Sequence, residues 1–192
     1  MILDDFVSDA QLQNLIQSDL VRLQEEGKFT TAKVGSVANV NQEIRVAETC
    51  FLQKQRPNPI RTLVLDRLGQ LRHELSLIQP IEPELDDFLY IHYPQGGFYN
   101  KHVDATPNTP SDLRIYSVLL YLNTVQQGGQ LRLFLDNDSI KDIAPKAGRL
   151  VVLDSHRIPH QVMETKEPRR VLVGWFHRAP THEELLTYAT SS

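Results

Sequence analysis

Little in this sequence marks a secreted, membrane-spanning or nucleic-acid-binding chain. It has a single cysteine, Cys50, which rules out an internal disulfide and fits a reducing compartment. Cys50 sits in the apolar context Thr49-Cys50-Phe51-Leu52 and reads as a small core hydrophobe. No apolar run approaches the length that crosses a bilayer. The start, Met1-Ile2-Leu3-Asp4-Asp5, lacks the basic region and long apolar stretch of a secretory signal. A cytoplasmic protein with no membrane partner is therefore expected. With a net charge of -4 and a pI near 6.0, the chain has no basic field to attract nucleic acid. Internal repeats, low-complexity tracts and a His-rich cluster of the cupin kind are also missing.

What remains is ordinary globular material: 192 residues, 41% hydrophobic and 23% charged, enough for one domain over residues 1–192 with a sizeable core. Ser8-Asp9-Ala10-Gln11 reads as a capping box, so a helix should begin after Ser8 and bury Leu12, Leu15, Ile16, Leu20 and Leu23, with Gly27 as its stop. Residues 28–54 alternate and predict a hairpin or a short pair of strands. After Pro57-Asn58-Pro59 a second helix should bury Ile60, Val64, Leu68, Leu71, Leu75 and Ile78, closed by Pro80 and Pro83. Residues 1–85 thus form helical and hairpin support.

From residue 86 to about 180 the pattern changes to short β-rich runs: Phe88 to Tyr93, Arg114 to Asn123, Gln130 to Leu135, Ile140 to Ile143, Arg149 to Leu153 and Val171 to Phe176. Strands at such spacing predict a sandwich or barrel, and the order helices-then-strands places the helices on one outer face of it. Thr181 to Tyr188 predicts a short final helix.

Two passages carry chemistry. Tyr93-Pro94-Gln95-Gly96-Gly97-Phe98-Tyr99-Asn100-Lys101-His102-Val103-Asp104 offers an imidazole and a carboxylate two residues apart, on one face of an extended segment. Pro159-His160-Gln161-Val162 offers a second imidazole, and Arg169 follows nine residues later. His-x-Asp alone is a weak signal among seven His and thirteen Asp; the order and the Gly-rich context strengthen it. Two imidazoles and one carboxylate leave one face of a metal open, the arrangement used for non-haem Fe(II). Arg169 shares a strand face with Val171, Val173 and Trp175, which suits a carboxylate anchor in an apolar pocket; Arg170, on the opposite face, is the alternative. Tyr93, Tyr99 and Tyr121 offer hydroxyls to the same carboxylate. His73, His92, His156, His177 and His182 read as surface, loop or outward-facing residues.

These passages resemble the 2-oxoglutarate and Fe(II)-dependent dioxygenases, most closely the prolyl 4-hydroxylase-like branch. The likeness runs from about Phe88 to Arg178. It adds Tyr121-Leu122-Asn123, Gly128-Gly129-Gln130-Leu131-Arg132-Leu133-Phe134, Lys146 to Leu153 and Gly174-Trp175-Phe176 to the two passages above. The resemblance implies a mainly β (α+β) fold with flanking helices, a double-stranded β-helix or jelly roll. It implies His102, Asp104 and His160 as iron ligands, with no further catalytic residue. Arg169 and Tyr121, with Tyr93 nearby, would hold 2-oxoglutarate; O2 is the second co-substrate and ascorbate a candidate reductant. Ile44-Arg45 resembles a substrate-contacting strand, although Ala47 stands where the family has an acid; Arg45 and Tyr99 are the candidate substrate contacts. The expected reaction is C–H hydroxylation, foremost of a prolyl residue in a protein or peptide, with release of succinate and CO2. Hydroxylation of a small molecule on the same site is the near alternative, and residues 28–52 could form a flap that decides between them. A non-catalytic jelly-roll binding module and a nucleic-acid demethylase are rival readings, the second disfavoured by charge.

Overall fold

The computed structural model describes residues 1–34, 40–182 and 184. Its elements in chain order are β1 (Ile2–Leu3), α1 (Ala10–Glu25), β2 (Thr30–Thr31), β3 (Arg45–Val46), β4 (Glu48–Phe51), α2 (Pro59–Ser76), β5 (Glu82–Tyr93), β6 (Phe98–His102), β7 (Arg114–Tyr121), β8 (Leu131–Phe134), β9 (Ile140–Ile143), β10 (Leu150–Asp154), β11 (His160–Val162) and β12 (Arg169–His177). The strands form two antiparallel sheets. The larger runs β1-β10-β7-β12-β5-β4-β2 and the smaller β3-β6-β11-β8-β9. This is the double-stranded β-helix, with both helices supporting the larger sheet.

The central strands of the larger sheet are apolar on both faces, as expected for a sheet covered on both sides. One face presents Phe88, Tyr90, Val118, Leu120, Leu150, Val152, Leu172 and Phe176 to the buried stripes of α1 and α2. The other presents Leu89, Ile91, Tyr93, Leu119, Tyr121, Val151, Leu153, Val171, Val173 and Trp175 to Leu131, Leu133, Ile143 and Val162 of the smaller sheet. Gly174 is required where β12 meets β5, since a Cβ there would lie 2.3 Å from the Phe88 ring. The site lies in the second core, between the sheets.

The helical stripes hold at Leu12, Ile16, Leu20 and Leu23 and at Val64, Leu68, Leu71 and Leu75. Leu15 is exposed, and Ile78 lies beyond the end of α2 and is 79% exposed. Asp9, not Ser8, accepts from the Leu12 amide, so α1 starts one residue later than the capping box implies. Gly27 ends that helix with φ +68°, and Asn58 caps α2 by accepting from the amides of Ile60 and Arg61. A polar knot replaces apolar packing where α1, α2 and β5 meet. Asp19 accepts from Arg61, Tyr90, Asn58 and Arg22, and Asp19 and Arg61 are each 4% exposed.

The region 28–54 does not form one hairpin. β2 and β4 pair on the larger sheet, while β3 crosses to pair with β6 on the smaller one. Residues 35–39 of the expected flap, and residues 183 and 185–188 of the expected final helix, lie outside the described residues. Cys50 is buried in the core, as its context implied. His177 corrects the surface reading: it is 5% exposed, on β12.

Candidate active site

The approach to His102 is built by glycine. Gly96 has φ +80° and the Gly97 amide donates to the Pro94 carbonyl at 2.8 Å, closing a turn after β5. The turn docks on Thr165 through Gly96 N to Thr165 O (2.8 Å) and Thr165 N to Gly97 O (2.9 Å). β6 then pairs with β11 so that His102 faces His160 while Tyr99 faces Val162. Three steps on β6 oppose two on β11, which is a bulge. The bulge brings Tyr99 and His102 onto one side, their rings stacked with centroids 3.6 Å apart.

His102 ends β6, and Asp104 lies just past it, so the two do not share a regular strand. Asp104 is held instead by its neighbours. Arg114 Nη1 donates to the Asp104 carbonyl at 3.1 Å, and the Ala105 amide donates to Ser155 O at 3.0 Å. The structure nonetheless brings the three residues together. Ligand-type atoms of His102, Asp104 and His160 all lie within 4.8 Å of one another. His102 Nε2 is 3.5 Å from Asp104 Oδ1 and His160 Nε2 is 3.7 Å from Asp104 Oδ2.

Each ring is oriented by its other nitrogen. His102 Nδ1 is 2.7 Å from the Asn100 carbonyl and His160 Nδ1 is 3.0 Å from the Ile158 carbonyl. A carbonyl can only accept, so both Nδ1 atoms carry the proton and both Nε2 lone pairs face the Asp104 carboxylate. Burial pushes the His160 pKa down, which keeps that ring neutral and able to ligate. Burial alone would raise Asp104, but the charge that His160 and His102 carry when protonated, with the Ser117 hydroxyl, outweighs it and holds the carboxyl far below its usual range; with both rings neutral, a bound divalent cation would supply that charge instead. Neutral imidazoles and an ionised carboxylate are the donor set a divalent metal requires.

Beside this cluster, on β12, Arg169 is fully buried. Its Nε donates to the Gly129 carbonyl at 3.0 Å, and among the described residues no acceptor meets Nη1 or Nη2. The guanidinium carbon lies 4.8 Å from the centre of the Tyr93 ring and 5.0 Å from that of Tyr121. Burial raises the Tyr121 pKa, so its hydroxyl stays a donor; it lies within electrostatic reach of Arg169 but makes no well-formed hydrogen bond there. A buried cation with two free donors and a buried free hydroxyl is a costly arrangement unless an anion completes it. A carboxylate, taken by Arg in a forked pair, fits this need. Gly129 takes φ +67°, and a Cβ there would press on Thr165 Oγ1 at 3.0 Å and Arg169 Cδ at 3.2 Å, so only glycine fits beside the anchor.

Of the two residues proposed for substrate, Arg45 lies over the Tyr99 ring at 4.6 Å, and Tyr99 covers His102, so both border the metal cluster. Sequence reasoning missed Arg114, which stacks on Trp175 at 3.8 Å. Arg114 Nε and Trp175 Nε1 are buried without partners among the described residues. Nothing in the spacing marks Arg114, which joins the site through its contact with Asp104. Arg170 points away from the site, and His92 is on the helix side, against Glu48 and Gln24.

A model of the 2OG-Fe(II) oxygenase superfamily matches residues 88–177. Among solved structures the chain is similar to a Pseudomonas putida prolyl-4-hydroxylase, with 29% identity over 94% of this chain and 92% of that one and a TM-score of 0.81. A Trichoplax adhaerens prolyl hydroxylase, in complex with a hypoxia inducible factor oxygen degradation domain peptide fragment, is 21% identical over 100% and 86% (TM-score 0.82). A Phytophthora capsici prolyl 4-hydroxylase is 22% identical over 99% and 66% (TM-score 0.69). No curated protein matches the chain.

Proposed function

We propose that this chain is a dioxygenase that uses Fe(II), 2-oxoglutarate and O2, as the matching 2OG-Fe(II) oxygenase model and the likeness to prolyl hydroxylases support, and that it hydroxylates prolyl residues in a protein or peptide. Bound iron with its two co-substrates supplies the oxidising power for C–H hydroxylation, with succinate and CO2 released. The chain's own residues position, orient and exclude water. His102 and His160 present neutral Nε2 atoms to the metal, and Asp104 presents its carboxylate. Arg169 pairs through Nη1 and Nη2 with the distal carboxylate of 2-oxoglutarate, and the Tyr121 hydroxyl donates to the same group. Tyr93 and the apolar side chains of Val171, Val173 and Leu131 keep that end dry. The single observation that carries this reading is the buried Arg169 fork with no protein partner, set beside the His-Asp-His cluster.

The peptide assignment rests on the likeness to prolyl hydroxylases and on Arg45 and Tyr99, which border the metal cluster and can meet an extended chain there. Ascorbate as reductant and a cytoplasmic location belong to the same proposal; the lone buried Cys50 thiol suits a reducing compartment. The test is incubation of proline-containing peptides with Fe(II), 2-oxoglutarate and O2. A gain of one oxygen on proline, stoichiometric with succinate, is expected. Succinate formed only with small molecules would overturn the peptide assignment.

The anchor has its own expected result. Arg169→Ala should raise the KM for 2-oxoglutarate by at least about 100-fold, the scale of a buried forked ion pair. Arg170→Ala, on the opposite face and out of reach of the co-substrate, should change it less than about threefold, under about 1 kcal/mol. Equal effects in steady-state kinetics would remove Arg169 from its role.

A further inference from the structure

The ladder between β7 and β12 ends at Tyr121 and Val171, two residues short of Arg169's own level, which lies opposite Asn123. Arg169 pairs with Tyr93 on its β5 side, and on its β7 side the next residues along are Leu122 and Asn123. Leu122 still donates its amide to the Arg170 carbonyl at 3.0 Å. Beyond that, backbone pairing is replaced by a side chain. Asn123 Oδ1 accepts from the Arg170 amide at 2.7 Å, and Asn123 Nδ2 donates to the Pro168 carbonyl at 2.8 Å. One carboxamide thus binds the residues on either side of Arg169, acting as an extra peptide group added to the end of β7. Nδ2 also approaches the Thr124 carbonyl at 3.3 Å.

Arg169 needs such a brace. Its guanidinium is fixed by one protein hydrogen bond, Nε to Gly129 O, and its two outer nitrogens must stand ready for a ligand. Pro168, just before it, has no N–H to donate, and Arg169 starts its strand, where chain ends fray. We propose that Asn123 is a positioning residue for 2-oxoglutarate: its carboxamide clamps the backbone on both sides of Arg169 and so aims the guanidinium at the distal carboxylate. This rests on the reading of Arg169 as the carboxylate anchor. A binding group is effective only when its support is locked.

The readout is affinity, measured by calorimetry on Mn(II)-loaded protein with 2-oxoglutarate and with 2-oxobutyrate, which lacks the distal carboxylate. Asn123→Ala is expected to weaken 2-oxoglutarate by about tenfold, the net worth of about one hydrogen bond, and to leave 2-oxobutyrate within about twofold, less than half of such a bond. Should Asn123→Ala not fold, Asn123→Ser serves. Its hydroxyl is too short to span both groups, and a smaller loss, again confined to the diacid, is expected. Unchanged 2-oxoglutarate affinity, or equal losses for both ligands, overturns the proposal. Arg169→Ala run alongside separates the two levels. If it too leaves 2-oxoglutarate binding intact, the anchor reading falls; if it abolishes binding while the Asn123 variants do not weaken it, only the clamp falls.

Discussion

Replacing His160 by alanine is expected to abolish turnover and to weaken metal binding by more than about 100-fold, beyond the 10–100-fold typical of residues that merely support a ligand. The reason is the geometry of the cluster. His102 and Asp104 lie two residues apart and arrive from one end of β6, whereas His160 comes from β11 across the sheet. Without it, the remaining pair grips a metal from one side only. The fold should survive, because the imidazole is one side chain in a core that Leu131, Leu133, Val162 and Tyr121 continue to fill. Far-UV circular dichroism of the metal-free protein should be unchanged, while calorimetry with Mn(II) and succinate release with Fe(II) both fall to background. A His160→Ala protein that binds metal and turns over 2-oxoglutarate normally would refute the site.

Asp19→Ala should have the largest effect on stability, about 3–5 kcal/mol, since it leaves the Arg61 guanidinium buried without its counter-charge. Asp19 accepts from four side chains on α1, α2 and β5, and its own side chain is 1% exposed. Burial by itself would raise its pKa, but the bonds from Arg61, Arg22 and Tyr90 win and hold it below 3.8. The folded-state value is depressed, so this stabilisation is present in full above the ordinary carboxylate range and is lost as pH falls below about 4. Thermal unfolding at neutral pH should show Tm lower by roughly 10 °C for a chain of this size. Asp142→Ala breaks an exposed pair with Arg132 and serves as the control, expected to cost under about 1 kcal/mol. Equal losses in the two variants would mean that the buried knot holds nothing together.

Much of this protein can be read before it is folded, and the reasons are local. Short, nearly continuous apolar runs at Phe88–Tyr93, Arg114–Asn123 and Val171–Phe176 mark strands because a sheet covered on both faces buries both sets of side chains. His102, Asp104 and His160 are legible from their chemistry and order, whereas strand spacing leaves Arg169 and Arg170 both open and only the family-like offset from His160 and Trp175 favours Arg169. What escaped depends on partners distant in sequence. The Asp19–Arg61 pair spans 42 residues, and two charged residues on amphipathic helices look solvated until the helices meet. The bulge that stacks Tyr99 on His102 exists only once β6 pairs with β11. Leu15 and Ile78 fit the helical period but fall outside what the sheet can cover. Arg114 reads as a strand start until its side chain reaches the Asp104 carbonyl.

The two-faced larger sheet has an arithmetic consequence. Over residues 88–93, 116–121, 150–153 and 169–176 of β5, β7, β10 and β12, odd-numbered residues look toward the chemistry and even-numbered ones toward the helices: Tyr93, Tyr121 and Arg169 against His92, Leu120 and Arg170; only past the bulges does an even-numbered residue of these strands, Arg114, reach the site. Parity therefore separates two kinds of lesion, one catalytic and one architectural. Inserting or deleting a single residue within β12 would deliver both at once, because the whole strand would exchange its two sets of side chains.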